Sequence, residues 1–315
     1  MARQTSPLPL HTGPNAGASC YCQSGTRSRS PIQSDGEAGN LRYPVEAGLV
    51  GDSRRVLREL LPRLEEKKEQ RFLEGVQASV RDWQEVLEKR SSREDQPMKP
   101  QVIAHELGKR LRNDAIVSSD SGTITTWWAR HIPVKRGQMH SVSGNLASMA
   151  CGLPYTLAAQ IAYPERQCVA FVGDGGFSML MAEFATAVKY KLPIKVVVVK
   201  NETLGQIKWE QMVFLGNPEY GVDLQPIDFA EVAHACGGIG FTVEDPKDCG
   251  KVVEAFLNAP GPALLQAIVD PFEPPMPAKV TADQAIKFAE SLARGEPNRK
   301  KIALTAISNE VRELI

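Results

Sequence analysis

Three runs constrain this chain more than any other feature: "CVAFV" (168–172), "IKVVVVK" (194–200) and "ALLQAIV" (263–269). All three are apolar at nearly every position, with no alternation that would leave one face wet. A strand of that kind must be covered on both sides, which is the condition of a parallel sheet whose crossovers are helices. "AIVSSD" (115–120), "GIGFTV" (238–243) and a short extended segment near Met139 read as companion strands. Helical patterns fall between them, over 100–113, 123–132, 146–162, 176–190, 204–215, 228–236 and 247–258. The expected fold is therefore α/β: a doubly wound, mostly parallel sheet with helices on both faces.

The flanks read differently. Residues 1–44 are rich in Ser, Gly, Pro, Arg and Gln without apolar period, as in a disordered tail that cannot offset its ordering entropy. "GLVGD" (48–52) looks like the end of a strand, and a helical pattern runs from Arg54 to about Lys89, divided by Pro62. The expected domains are the tail 1–44, a segment 45–97 ending in a charged linker, the α/β domain 98–275, and a helical extension 276–315. Lys+Arg and Asp+Glu both number 37 among 315 residues, so net charge gives no reason to expect nucleic acid or an anionic membrane as partner. No apolar run has the length of a membrane span, no secretory leader is seen, and a cytoplasmic location is expected. The six cysteines, among them Cys20 and Cys22, match neither a zinc site nor a dense disulfide framework.

Ligands of such sheets sit at the carboxyl ends of strands. Three of those ends are polar: "SSDSGT" (118–123), "GDGG" (173–176) and "KNETLG" (200–205). Glycine turns bind phosphate oxygens through backbone N–H groups. The carboxylate of Asp174 would repel a bare phosphate there, and a divalent cation between them resolves the conflict. Magnesium takes oxygen ligands and shares them with phosphates, so Asp174 and the side-chain oxygen of Asn201 read as a pair of ligands. The Gly-x-x-x-x-Gly-Lys-Ser/Thr loop and the Gly-x-Gly-x-x-Gly pattern are both missing.

Gly173-Asp174-Gly175 followed 27 positions later by Asn201 resembles the signature of thiamine-diphosphate enzymes. "SGNLASMACGLPYTLAAQIAYPERQCVAFVGDGGFSML" and "SDSGTITTWWARHI" extend the likeness. It is similar to pyruvate oxidases and quinone-dependent pyruvate dehydrogenases, with acetolactate synthases more distant, over roughly residues 46–290. The resemblance implies thiamine diphosphate and Mg2+ as cofactors. Asp174, Asn201 and the Thr203 carbonyl would be the metal ligands. Gly122, Thr123, Ser148, Gly173, Gly175, Gly176, Leu204 and Gly205 would surround the cofactor. Met149 would support its V-shaped conformation; by residue type alone, Met149 is a core filler. Trp127 and Trp128 read as core or interface, and His140 as a residue near the site's mouth.

The same resemblance implies a 2-oxo acid substrate, pyruvate first, and decarboxylation. It places residues 46–90 at the end of the family's central domain. The family's activating glutamate belongs to a pyrimidine-binding domain that residues 1–44 do not resemble, so a homo-oligomer or a partner chain is expected to complete the site. FAD is expected only in full-length relatives. The alternatives are a catalytically silent cofactor-binding protein and an acetolactate-synthase-like carboligase half.

Overall fold

A computed structural model of the chain describes residues 32–33, 48–275 and 281–313, with side chains up to residue 306. The expected disordered tail lies outside the described residues, apart from Ile32–Gln33. The chain divides into two compact units, residues 1–78 and 79–315. In the first, β1 (Ile32–Gln33) pairs in parallel with β2 (Leu49–Val50). Helix α1 (Ser53–Leu60) starts where the Asp52 carboxylate accepts the Arg55 N–H at 3.0 Å, a side-chain cap. A 3-10 turn over Leu61–Arg63 holds Pro62 and ends this helical stretch. Pro62 therefore divides the pattern, as expected. Helix α2 (Arg71–Ser91) begins in this unit and ends in the second.

The second unit continues with α3 (Pro100–Arg110), β3 (Ile116–Ser119), α4 (Thr123–His131), β4 (Met139–Val142), α5 (Gly152–Ala162), β5 (Cys168–Gly173), α6 (Asp174–Leu180) and α7 (Glu183–Lys189). There follow β6 (Lys195–Lys200), α8 (Gly205–Val213), α9 (Phe229–Ala235), β7 (Ile239–Val243), α10 (Pro246–Asn258) and β8 (Ala263–Ile268). Last come α11 (Ala282–Ala293) and α12 (Arg299–Glu313). Strands β3 to β8 form one sheet in the order β4-β3-β5-β6-β8-β7, with every neighbouring pair parallel.

Residue alternation along the strands feeds two separate cores. Val169 and Phe171 of β5, Val197 and Val199 of β6, and Leu265 of β8 point to one side, where α3, α4 and α10 cover them. Ala170, Val172, Val196, Val198 and Leu264 point to the other, against α5, Phe177, Phe184 and Phe229. This is why the strands are apolar throughout: neither face meets water. A buried ion cluster backs the first core. Lys99 Nζ lies 2.5 Å from Asp270 Oδ2 and 3.2 Å from Glu273 Oε2, and Gln101 Nε2 donates to Glu273 Oε1 at 2.9 Å. It ties the start of α3 to the segment leaving β8.

Two expected helices differ. The stretch 146–162 is helical only from Gly152, because Ala147 (φ 50°) and Ala150 (φ 65°) adopt left-handed backbone that no α-helix admits. The stretch 176–190 is split into α6 and α7. At the split, Phe184 and Ala185 donate to the carbonyls of Met181 and Ala182 (3.0 and 3.1 Å), three residues back instead of four.

The closing helices form a third, smaller core with α8. Trp209, Met212 and Val213 of α8 pack with Ile302 of α12, Phe272, Phe288 and Leu292. A buried polar chain runs beside it: Lys208 Nζ lies 2.6 Å from Glu219 Oε2, Asn298 Nδ2 donates to Glu219 Oε1 (2.9 Å), and Glu296 Oε2 accepts the Glu219 N–H (2.9 Å).

Candidate functional site

After β3 the chain moves outward to β4, then returns to place β5 on the other side of β3. At such a reversal two adjacent strands send their following segments to opposite faces of the sheet, and a crevice opens above their carboxyl ends. A cleft of about 580 Å³, counting the solvent-open space at its mouth, lies there. Its walls come from the turn after β3 (Asp120–Ile124), the turn after β5 (Gly173–Gly176) and the turn after β6 (Asn201–Ile207). The three polar strand ends singled out in the sequence thus meet in one place.

Asp174, the first residue of α6, organises the cleft floor and is 5% exposed. Its Oδ1 accepts the Gly175 N–H at 2.9 Å; its Oδ2 accepts those of Asn201 (3.0 Å) and Glu202 (2.6 Å). The loop after β6 is therefore fastened to the loop after β5 through this carboxylate. Burial pushes the Asp174 carboxyl above its usual range, and the three N–H groups pull it back. The Asn201 side-chain oxygen accepts the Thr203 N–H (3.2 Å), while Thr203 Oγ1 is buried without a hydrogen-bond partner. Glu202 takes left-handed backbone (φ 58°), which turns the loop sharply between the two. A short antiparallel strip from the far loop stabilises it, with Leu204 N–H donating to Val222 O (2.8 Å) and Leu224 N–H to Glu202 O (3.0 Å).

Of the residues expected around a ligand, Gly122, Thr123, Met149, Gly173, Gly175, Gly176, Leu204 and Gly205 all line the cleft, as do Asp174, Asn201 and Thr203. Ser148 is exposed and does not line it; its carbonyl accepts from Ser121 N–H at 3.4 Å. Gly122 has φ 128°, a conformation reserved for glycine, and a methyl there would meet nothing within 4 Å, so the backbone faces open space. Met149 reaches across, its Cε 3.4 Å from where a Gly175 Cβ would stand. Trp127 is both core and wall: it is 6% exposed and lines the cleft. His140 is not in the walls; its Nδ1 accepts Trp128 Nε1–H at 3.1 Å.

Residues 120–267 match the family model described as thiamine pyrophosphate enzyme, C-terminal TPP binding domain. Over these residues the chain carries the C-terminal TPP binding domain of the thiamine pyrophosphate enzyme family. YdaP of Bacillus subtilis, named as a thiamine pyrophosphate-containing protein, is 39% identical over 285 residues, 90% of this chain and 49% of the relative. Pyruvate oxidase of Lactiplantibacillus plantarum is 29% identical over 253 residues, 80% of this chain and 42% of the relative. The large subunit of acetolactate synthase isozyme 3 of Escherichia coli is 31% identical over 208 residues, 64% of this chain and 36% of the relative. The chain thus spans about half, or less, of the length of these curated relatives.

The donor set suits the cofactor of a thiamine pyrophosphate enzyme. Among the described residues no cluster of three or more His, Cys, Asp or Glu comes together. A cation here would rest on one carboxylate (Asp174), one amide oxygen (Asn201) and the Thr203 carbonyl, all hard oxygen donors of the magnesium type. The unpartnered Thr203 Oγ1 and the open space above Gly122 leave room for an anionic group beside them.

One wall residue went unassigned in the sequence. Asp120 directly follows β3, is 1% exposed and lines the cleft. Its Oδ1 accepts the Gly152 N–H at 2.7 Å, while its Oδ2 is buried without a partner. Burial pushes its carboxyl upward as well. Asp120 stands inside the quoted stretch "SSDSGT", but nothing local in that stretch predicts a contact with Gly152. No described helix is long and apolar enough to cross a membrane.

Proposed function

We propose that this chain supplies the diphosphate- and magnesium-anchoring part of an enzyme that decarboxylates a 2-oxo acid, of the pyruvate oxidase type. The observation that carries the reading is the junction of two loops on Asp174. Asp174, Asn201 and Thr203 line one cleft together with the turn Gly122–Thr123. Bound there, thiamine diphosphate supplies a nucleophilic carbon and an electron sink for decarboxylation.

The residues divide the remaining work. Asp174, Asn201 and the Thr203 carbonyl hold Mg2+, which offsets the charge of the diphosphate against the buried carboxylate. The backbone of Gly122 faces open space and admits the phosphates closely, and Gly175 and Gly176 offer them the backbone of the turn after β5. Met149 and Leu204 exclude water from the inner wall and orient the ring end. Among the described residues, the acids on the cleft wall are Asp120 and Asp174. The resemblance to thiamine-diphosphate enzymes implies that the carboxylate for proton transfer at the ring end comes from a facing pyrimidine-binding domain, in another copy or another chain. The pyruvate oxidase relative supports pyruvate as the first substrate to try; the acetolactate synthase relative supports a carboligase as second reading.

Titration calorimetry of thiamine diphosphate with Mg2+ and with chelator tests the anchor. Tight binding that needs the metal is expected, and equal affinity in both sinks the reading. Carbon dioxide release from pyruvate with an artificial electron acceptor then tests the reaction, and acetolactate formation in the same mixture separates the two readings. Turnover should be low for the chain alone and rise when a pyrimidine-binding domain of a relative is added. A positioned acid or base is worth ~10²–10⁴-fold.

A further inference from the structure

The unpartnered oxygen of Asp120 touches a glycine that was expected to be glycine for another reason. A Cβ built on Gly176 would fall 2.0 Å from Asp120 Oδ2 and 3.3 Å from the Ala150 backbone nitrogen. No ligand is needed to explain why position 176 carries no side chain: the Asp120 carboxyl already fills that space. On its other side the same carboxyl accepts the Gly152 N–H, and a Cβ on Gly152 would meet Asp120 Oδ1 at 3.1 Å and Val172 Cγ1 at 2.5 Å. The carboxyl is wedged between the turn after β5 and the loop that enters α5.

That loop needs holding. It carries Ala147 and Ala150 in left-handed backbone, a conformation that strains a residue with a Cβ. Met149 sits between them. Two further bonds fasten the loop to the end of β3: Cys151 Sγ–H donates to Ser119 O (3.4 Å), and Ser121 N–H donates to Ser148 O (3.4 Å). Both are long. The 2.7 Å bond from Gly152 N–H to Asp120 is the short one, and it is fully buried.

We propose that Asp120 is a positioning residue that holds the strained Met149 loop at a fixed distance from the Gly173–Gly176 turn and so sets the width of the cleft. The proposal deepens the reading given above, because the width matters for the ring end of the cofactor. Its structural content can be tested without any cofactor.

Hydrogen exchange and thiol labelling of Cys151, both located by mass spectrometry, report on the loop. Asp120→Ala should raise exchange across 147–152 and the labelling rate of Cys151 by about tenfold, the size of one lost hydrogen bond to a carboxylate. Exchange in β6 should stay as in the parent. Asp120→Asn keeps the acceptor for Gly152 and should rescue both readings. A double-mutant cycle tests the wedge: Gly176→Ala should lower Tm by roughly 3–10 °C through overpacking, and much less when Asp120 is also Ala. Equal harm from Gly176→Ala in both backgrounds, or loop exchange in Asp120→Ala that matches the parent, overturns the proposal. Calorimetry then separates it from the cofactor reading. Parent protein that fails to bind thiamine diphosphate with Mg2+ overturns that reading while the exchange results stand. Parent that binds, with Asp120→Ala weakened and Asp120→Asn not, is the result expected for both.

Discussion

At the scale of single residues, Asp174 carries two duties that one substitution separates. It satisfies three backbone N–H groups, and it would face the cation. Asp174→Ala leaves the buried Gly175 N–H and the part-buried Asn201 and Glu202 N–H groups unpaired, at up to about 1–3 kcal/mol for the buried one, so it should lower Tm as well as cofactor affinity. Asn201→Ala frees only the Thr203 N–H. It should therefore cut the Mg2+-dependent affinity for thiamine diphosphate by more than about tenfold with little change in Tm. Calorimetry and thermal melts on the pair decide the matter; an Asn201→Ala protein that binds as the parent does would remove Asn201 from the metal site. That Asp174 and Asn201 share one cleft was legible in the sequence, where a carboxylate beside a phosphate-type turn called for a cation and a second oxygen donor. Asp120 was not, because its partners, Gly152 and Gly176, are 32 and 56 positions away and meet it only once β3 and β5 are paired.

At the scale of elements, the strands were readable and two of the helix boundaries were not. A strand buried on both faces writes its state into every position, so β5, β6 and β8 announced themselves. The stretch before α5 gave the opposite signal. Alanine is the best helix former, and "LASMAC" looks like the first turns of a helix until tertiary contacts force Ala147 and Ala150 into left-handed backbone. The link between α2 and α4 gives a pH prediction. His131, the last residue of α4, is 4% exposed, with Nδ1 2.9 Å from Ser91 Oγ, and burial lowers its pKa to about 3. The unfolded chain protonates it near 6.5. Its contribution to stability is therefore complete above pH 6.5 and is lost progressively as pH falls toward 3. Urea unfolding at pH 7 and pH 5 should show a larger loss for the parent than for His131→Gln. Parallel losses would mean another group governs the acid limb.

At the scale of the whole molecule, α11 and α12 have a clear packing partner, which their sequence did not name. They cover Trp209 and Met212 of α8, the helix whose first residue, Gly205, lines the cleft. Truncation after residue 275 should lower Tm by several degrees and shift tryptophan emission to longer wavelength, since Trp209 is 5% exposed with the helices in place. Unchanged emission would show that this core is not formed in solution. The sheet register bears on the cleft in another way. Ser119 lies level with Phe171, and Gly173 with Val199, so the three site turns leave the sheet within a few residues of one another in height. Height along a parallel strand is counted in residues, about 3.3 Å at a time. Deleting one residue anywhere in 195–200 would carry Asn201 that far from Asp174 and exchange the two faces of β6. The length of those strands is thus held more tightly than the choice among apolar side chains within them. A library of single-residue deletions across 168–200 should contain almost no folded, cofactor-binding members until the deletions reach the turn between Lys189 and Ile194.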